Sequence, residues 1–175
     1  MKEKFELIKK TYKEFYDSLL RKGELLVRDT EKGIWGITTA DDAFAFFKDI
    51  KLDRYKNFID LGSGDGIVVM IASLFTKATG IEFDEELHKK AVEIKERLEL
   101  DVNLKCKDFF EEDLSKYDII FINPDQGFHK GLEDKLIKEL KGRLFVHQKI
   151  FQPRFLKKGK TYWINQTPII EYSNP

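Results

Sequence analysis

Apolar residues follow two different periodicities along this chain. Near the start, Phe5, Ile8, Tyr12, Phe15, Tyr16 and Leu19 recur at helical spacing with Lys and Glu between them, and Gly23 supplies a C-terminal stop. This predicts an amphipathic leading helix. A turn-rich segment with Gly33, Trp35 and Gly36 follows, and then Thr38 and Thr39 precede Asp41 and Asp42 in a helix N-cap pattern. The helix opened there carries Phe44, Phe46, Phe47 and Ile50. From Asn57 the pattern changes to short apolar runs separated by helix-length stretches: FIDL, GIVVMIASLF, ATGIEF, ELHKKAVEIKERL, VNLKC and DIIFIN. Strands alternating with helices predict βαβ units and an α/β fold with a doubly wound, mostly parallel sheet. After Asn123 the pattern predicts a helix over LEDKLIKEL, a strand over RLFVHQ, and an antiparallel C-terminal hairpin formed by TYWINQ and PIIEY, with Pro168 placing its strand at an edge. The chain is expected to be one domain over 1–175, with N-terminal helices and a lid segment in 1–50 and the core in 56–172.

Composition narrows the partners. The 31 basic and 31 acidic residues cancel, so no global field attracts nucleic acid or an anionic membrane, and a charged partner must be met by a local patch. Cys106 is the only cysteine, which excludes an intramolecular disulfide and a cysteine-based zinc site and fits a reducing, cytoplasmic setting. Its expected place is a small buried apolar position. The opening MKEKFELIKKTYKEF lacks the apolar core of a signal peptide, and no stretch approaches the ~18 apolar residues that span a bilayer. The Lys- and Glu-rich composition also resembles that of heat-adapted proteins.

Candidate chemistry is concentrated in FIDLGSGDGIVV, residues 58 to 69. An apolar strand ends in Asp60, and Gly62, Gly64 and Gly66 allow a tight turn and close approach of a ligand before the next helix. The amides of such a turn are expected to meet an anionic group such as a carboxylate. Dinucleotide binders use G-x-G-x-x-G, whereas this chain has G-x-G-x-G, and Asp60 and Asp65 would repel two phosphates. A zwitterion of the methionine type fits better, with Asp60 near its ammonium. Glu82 follows at the end of the next strand, where an acidic side chain accepts both ribose hydroxyls. In KCKDFF, Asp108 can accept an adenine amine and Phe109 can cover the ring. Asn123 and Pro124 of FINPDQ stand at the carboxyl edge of the fourth strand, where ligands bind in such sheets.

The series DLGSGDG, IEFD, KDFF and INPD, over roughly residues 33 to 172, resembles the motifs of class I S-adenosylmethionine-dependent methyltransferases, which have a Rossmann-like fold. The resemblance implies that Asp60 and the segment Leu61, Gly62, Ser63, Gly64 and Gly66 hold the methionine part. It places Glu82 at the ribose and Asp108 with Phe109 beside the adenine, and counts Phe83 among the cofactor-binding residues. The segment GIWGITT, with Trp35 and Gly36, would lie over the methionine carboxylate. Asn123 would border both cofactor and acceptor.

For the acceptor, INPD partly resembles the N-P-P-[YFW] motif of enzymes that methylate planar or amino nitrogens, but Asp125 replaces the second proline and Gln126 the aromatic ring that would stack on a base. LEDKLIKEL, RLFVHQ, KIFQPRF and the closing strands are similar to a family of small protein lysine methyltransferases from archaea and mitochondria, although LFVHQ and the site at Asn123 depart from its pattern. This implies N-methylation of protein lysine by direct displacement, a reaction that needs alignment, desolvation and loss of the lysine proton (reference pKa ~10.4). Asn123 and the Pro124 carbonyl are the expected orienting groups, with Asp125 as proton acceptor or electrostatic attractant. The alternatives are methylation of a nucleic-acid base or a small molecule, or a noncatalytic methyltransferase-like binding subunit. A nicotinamide enzyme is a distant alternative.

Several residues have blander readings. His129 can cap the next helix, and His147 lies late in a strand near the carboxyl edge. No His, Cys and carboxylate trio has metal-ligand spacing, so no metal is expected, and Ser63 is not in G-x-S-x-G. Lys149, Arg154, Lys157, Lys158 and Lys160, with Phe151 and Phe155 between, form either a solvated loop or a phosphate- and base-contacting stripe. The aromatic stripe of the leading helix either packs as a lid or meets a substrate protein or a second copy.

Overall fold

A computed structural model describes residues 1–175. The leading pattern forms one helix, α1 (Lys2–Arg21), whose Phe5, Ile8 and Tyr12 are buried. Gly23 follows with φ of 76°, a conformation that stops a helix. The turn-rich segment is more ordered than its composition suggests. It forms an antiparallel hairpin of β1 (Val27–Thr30) and β2 (Gly33–Gly36). The helix α2 (Ala40–Asp49) starts after Thr39, whose side chain makes no capping hydrogen bond, so the expected Thr cap is present in position only.

The core then alternates as expected: β3 (Asn57–Leu61), α3 (Ile67–Ala72), β4 (Lys77–Glu82), α4 (Glu85–Arg97), β5 (Val102–Cys106), β6 (Ile119–Ile122), α5 (Leu132–Glu139) and β7 (Arg143–His147). The chain ends in β8 (Lys157–Ile164) and β9 (Thr167–Ser173). The seven-stranded sheet has the order β5-β4-β3-β6-β7-β9-β8, with β9 antiparallel to both its neighbours and the β3 to β7 pairs parallel. Strand order reverses between β3, flanked by β4, and β6. That places a crevice at their carboxyl ends.

Alternation along each strand splits the core into two layers. Phe58, Ile119, Phe121 and Phe145 face α1 to α4, whereas Ile59, Leu61, Ile120, Ile122, Leu144 and Val146 face α5. Burying both faces is what parallel strands require. Phe46 is fully buried and touches Phe121, Phe145 and Tyr162 edge-on or tilted, a burial that contributes about 2 to 3 kcal/mol.

Two expectations are corrected here. Pro168 lies in β9, which is internal, and β8 forms the edge. The Pro168 backbone faces the end of β7, where its carbonyl accepts the Gln148 amide at 2.8 Å, and the Gln148 carbonyl accepts the Gln152 side-chain amide at 2.6 Å in place of the missing N–H. Cys106 is exposed at the end of edge strand β5 rather than buried. No helix is long and apolar enough to cross a membrane.

Candidate active site

The crevice at the carboxyl edge contains a cavity of 170 Å³. Strand β3 delivers Asp60 to its floor, where the residue is 4 % exposed. Its carboxyl is pushed well above the usual carboxylate range by burial and by the nearby charges of Glu82 and Asp65. The glycine turn then folds on itself. The amides of Gly62 and Ser63 donate to the Ile81 carbonyl at 2.9 and 2.8 Å, and Gly66 donates to the Ser63 carbonyl at 2.9 Å. Gly64 donates to Glu82 Oε2 at 2.7 Å. These four amides maintain the turn's own shape, and within Gly62 to Gly66 the Asp65 amide alone has no partner in the protein. Gly64 needs its glycine for two reasons, a φ of 56° and the Trp35 ring, which a Cβ would meet at 2.8 Å.

Asp65 is the second buried acid of the turn, and helix α1 secures it. Tyr12 donates to its carbonyl at 2.8 Å and Tyr16 to its Oδ2 at 2.7 Å, while Ile67 donates its amide to Oδ1 at 3.2 Å. Burial raises the Asp65 pKa to about 6, against the lowering effect of Tyr16, the Ile67 amide and the Trp35 indole. The leading helix is thus packed onto the site through its aromatic stripe.

At the far end of the cavity, β4 ends in Glu82, whose Oε1 accepts the Asp84 amide at 2.8 Å. Asp108 follows β5 and caps a short turn by accepting the Phe110 amide at 2.9 Å. Lys32, from the hairpin, lies 2.5 Å from Asp108 and 3.9 Å from the Phe83 ring centroid. Burial acts to raise the Asp108 pKa, but the Lys32 ammonium and the Phe110 amide hold it below the usual carboxylate range. Phe109 and Phe110 stack at 5.0 Å beside this end.

The hairpin crosses the cavity as a strap. Inward-facing Trp35 is 6 % exposed, and Asp125 Oδ2 accepts the Ile34 amide at 2.5 Å. Arg28 anchors the other strand to Asp84 and Glu86 at 3.2 and 3.1 Å. Just after β6, Asn123 is exposed and its side chain makes no hydrogen bond within the protein, while the Pro124 carbonyl accepts the Gln148 side-chain amide at 2.5 Å.

The cavity lining includes Trp35, Gly36, Asp60, Leu61, Gly62, Ser63, Gly64, Glu82, Phe83, Asp108, Phe109, Asn123, Pro124 and Asp125. Gly66 stands apart. It precedes α3 with its α-carbon toward Ala91, Met70 and Tyr12, so its place is in helix packing. His129 does not cap α5, which starts after Gly131. His147 faces a separate small pocket with Thr38, Asp42 and Phe121, its Nδ1 buried without a partner and its pKa lowered by burial. In the basic stretch, Lys149 lies over Trp163 at 4.3 Å and Lys160 over Tyr162 at 4.5 Å.

Sequence reasoning missed Lys32, Lys107 and Gln148. Gln148 carried a signal only in three dimensions: it follows β7 with φ of 72°, and its amide, carbonyl and both side-chain groups are all bonded. A non-glycine residue held there marks a point where the surroundings fix the backbone.

The sequence model of the family described as histone methylation protein DOT1 matches residues 30–166. No curated protein matches the chain. Among solved structures, an RNA methyltransferase from Salinibacter ruber in complex with S-adenosylhomocysteine is similar at 20 % identity and a TM-score of 0.64, covering 79 % of this chain and 94 % of its own. A putative methyltransferase from Escherichia coli is similar at 14 % identity and a TM-score of 0.62, over 79 % of this chain and 88 % of its own. The magnesium protoporphyrin IX methyltransferase of Synechocystis PCC 6803, with bound S-adenosylmethionine, is similar at 14 % identity and a TM-score of 0.58, over 77 % of each chain. At these identities the structures share the fold.

Proposed function

The chain belongs to the histone methylation protein DOT1 family and is an S-adenosylmethionine-dependent methyltransferase, and we propose that it N-methylates lysine side chains of proteins. The observation that carries the acceptor is the family match across 30–166. The missing ring at Gln126 argues against a stacked base.

The residues present fit S-adenosylmethionine. Asp60 is buried, borders the cavity and accepts no hydrogen bond within the protein, which suits a ligand ammonium. Because the amides of Gly62, Ser63, Gly64 and Gly66 are engaged, the carboxylate is assigned to the segment around Trp35 and Thr38. Glu82 takes the ribose, and Phe83, Asp108 and Phe109 take the adenine. Bound there, S-adenosylmethionine supplies a methyl group already activated on a sulfonium.

The protein's own work is then alignment. Asn123, uncommitted at the mouth, accepts an N–H of the lysine amine and points its lone pair at the methyl carbon. The Pro124 carbonyl, fixed by Gln148, provides a second acceptor on the same amine. Asp125, with Oδ2 given to the Ile34 amide, holds the strap shut and favours approach of a cationic lysine, which gives its proton to bulk water at the exposed mouth before its lone pair attacks. Burial of the strap over the cavity excludes water.

The test is incubation with methyl-labelled S-adenosylmethionine and separate pools of protein, transfer RNA and DNA, each with an Asn123→Ala control. Label in protein that falls by about a hundredfold in the variant supports the reading. Label in either nucleic acid pool replaces it with base methylation. Cofactor binding without label in any pool points to a small-molecule acceptor or a noncatalytic binding subunit.

A further inference from the structure

The tip of the β1–β2 hairpin inserts one cation into the end of the cavity lined by Phe83, Asp108 and Phe109. Lys32 Nζ meets Asp108 Oδ2 at 2.5 Å, and Asp108 Oδ1 already accepts the Phe110 amide at 2.9 Å. Both carboxylate oxygens are engaged. The same ammonium lies 3.9 Å from the Phe83 centroid and covers one face of that ring. The other cations nearby have partners elsewhere, Lys107 in Glu112 at 2.7 Å, Lys130 in Gln126 at 3.4 Å and Arg28 in Asp84 and Glu86.

We propose that Lys32 competes with the cofactor's adenine for Asp108 and Phe83, and thereby sets the affinity of the nucleoside end of the cavity. This rests on the cavity's assignment to S-adenosylmethionine. The ammonium covers the Phe83 face on which an adenine ring would lie and sits against the Asp108 oxygen that would meet its amine, so the two cannot occupy that space together. Lys32 stands in the turn between the hairpin strands with its side chain about half exposed, so rotation about its own bonds releases the slot. The strap stays in place meanwhile, since Asp125 and Arg28 anchor it independently.

The experiment is calorimetric titration of wild type, Lys32→Met and Lys32→Ala with adenosine, S-adenosylhomocysteine and S-adenosylmethionine. Losing an ion pair and a cation–ring contact from the competing state should tighten all three ligands by about fivefold in both variants. Added salt should tighten adenosine binding to wild type, where it screens the ion pair, and leave the variants flat. Unchanged or weaker adenosine binding in the variants overturns the proposal. So does a gain confined to S-adenosylmethionine, which would mean simple repulsion of the sulfonium charge. If no ligand binds any of the three proteins, the assignment of the cavity itself fails; equal binding by all three removes only the competition by Lys32.

Discussion

The Asp125 carboxylate accepts a hydrogen bond from the Ile34 amide at 2.5 Å, joining the loop after β6 to a hairpin 91 residues earlier across the mouth of one cavity. The contact is close enough that Gly33 has no room for a side chain, since a Cβ there would lie 1.9 Å from Asp125 Oδ2. Gly33→Ala must therefore displace the carboxylate and lift the strap. We expect S-adenosylhomocysteine to bind about tenfold more weakly, a loss of about 1.4 kcal/mol. With Asp125→Ala as background the obstacle is gone, so Gly33→Ala should add little further loss in a double-mutant cycle. Additive losses would show that the two residues are not coupled in this way.

Gln148 combines a backbone cost with a positioning role. Its φ of 72° favours glycine, and its side chain fixes the Pro124 carbonyl. Gln148→Gly should be more stable to denaturant than Gln148→Ala by about 1 kcal/mol, because alanine retains the Cβ penalty. Both variants should lower kcat while cofactor affinity is kept. A fall in cofactor affinity with kcat unchanged would move Gln148 out of the acceptor side.

The pKa of Asp65, raised to about 6 from an ordinary 3.8, fixes a sign for stability. Between those values the folded protein binds more protons than the unfolded chain, so stability falls as pH rises through the window. Asp65 alone should make the protein about 1 to 1.5 kcal/mol more stable at pH 5 than at pH 7.5. Denaturant titrations at the two values should show the difference shrinking in Asp65→Asn. Tyr16→Phe should shift the window upward, because it removes a hydrogen bond that favours the carboxylate.

Asp60 predicts a proton released on ligand binding. Burial holds its carboxyl well above the usual range, and a ligand ammonium favours the ionised form. Affinity for S-adenosylhomocysteine should thus increase with pH as Asp60 ionises. The calorimetric heat should depend on the ionisation enthalpy of the buffer, with up to one proton released. Asp60→Asn should bind more weakly and lose the buffer dependence, and a buffer dependence retained in that variant would assign the proton to another group.

Much of this architecture was legible from sequence because the informative residues are local. Short apolar runs ending in Asp60, Glu82 and Ile122, separated by helix-length stretches, determine parallel strands whose ends converge. The hairpin at 27–36 was not legible, because alternation between Val27, Asp29 and Ile34 outside and Arg28, Thr30 and Trp35 inside covers only four residues per strand. Pro168 misled because its strand position depends on which neighbour needs an N–H, a long-range property. At the site, Asp60 and Glu82 were readable from their place after apolar runs. Lys32 and Gln148 were not, since each acts on a residue brought close only by the sheet: Asp108 is 76 positions from Lys32, and Pro124 is 24 from Gln148.

A crystal structure with S-adenosylhomocysteine would show whether cofactor and acceptor sites lie on opposite sides of one transferable methyl group. We expect the ligand ammonium beside Asp60, the ribose on Glu82, the adenine against Phe83 with Lys32 displaced, and the sulfur facing Asn123. A sulfur turned away from Asn123, or a ligand seated outside the strap-covered cavity, would contradict it.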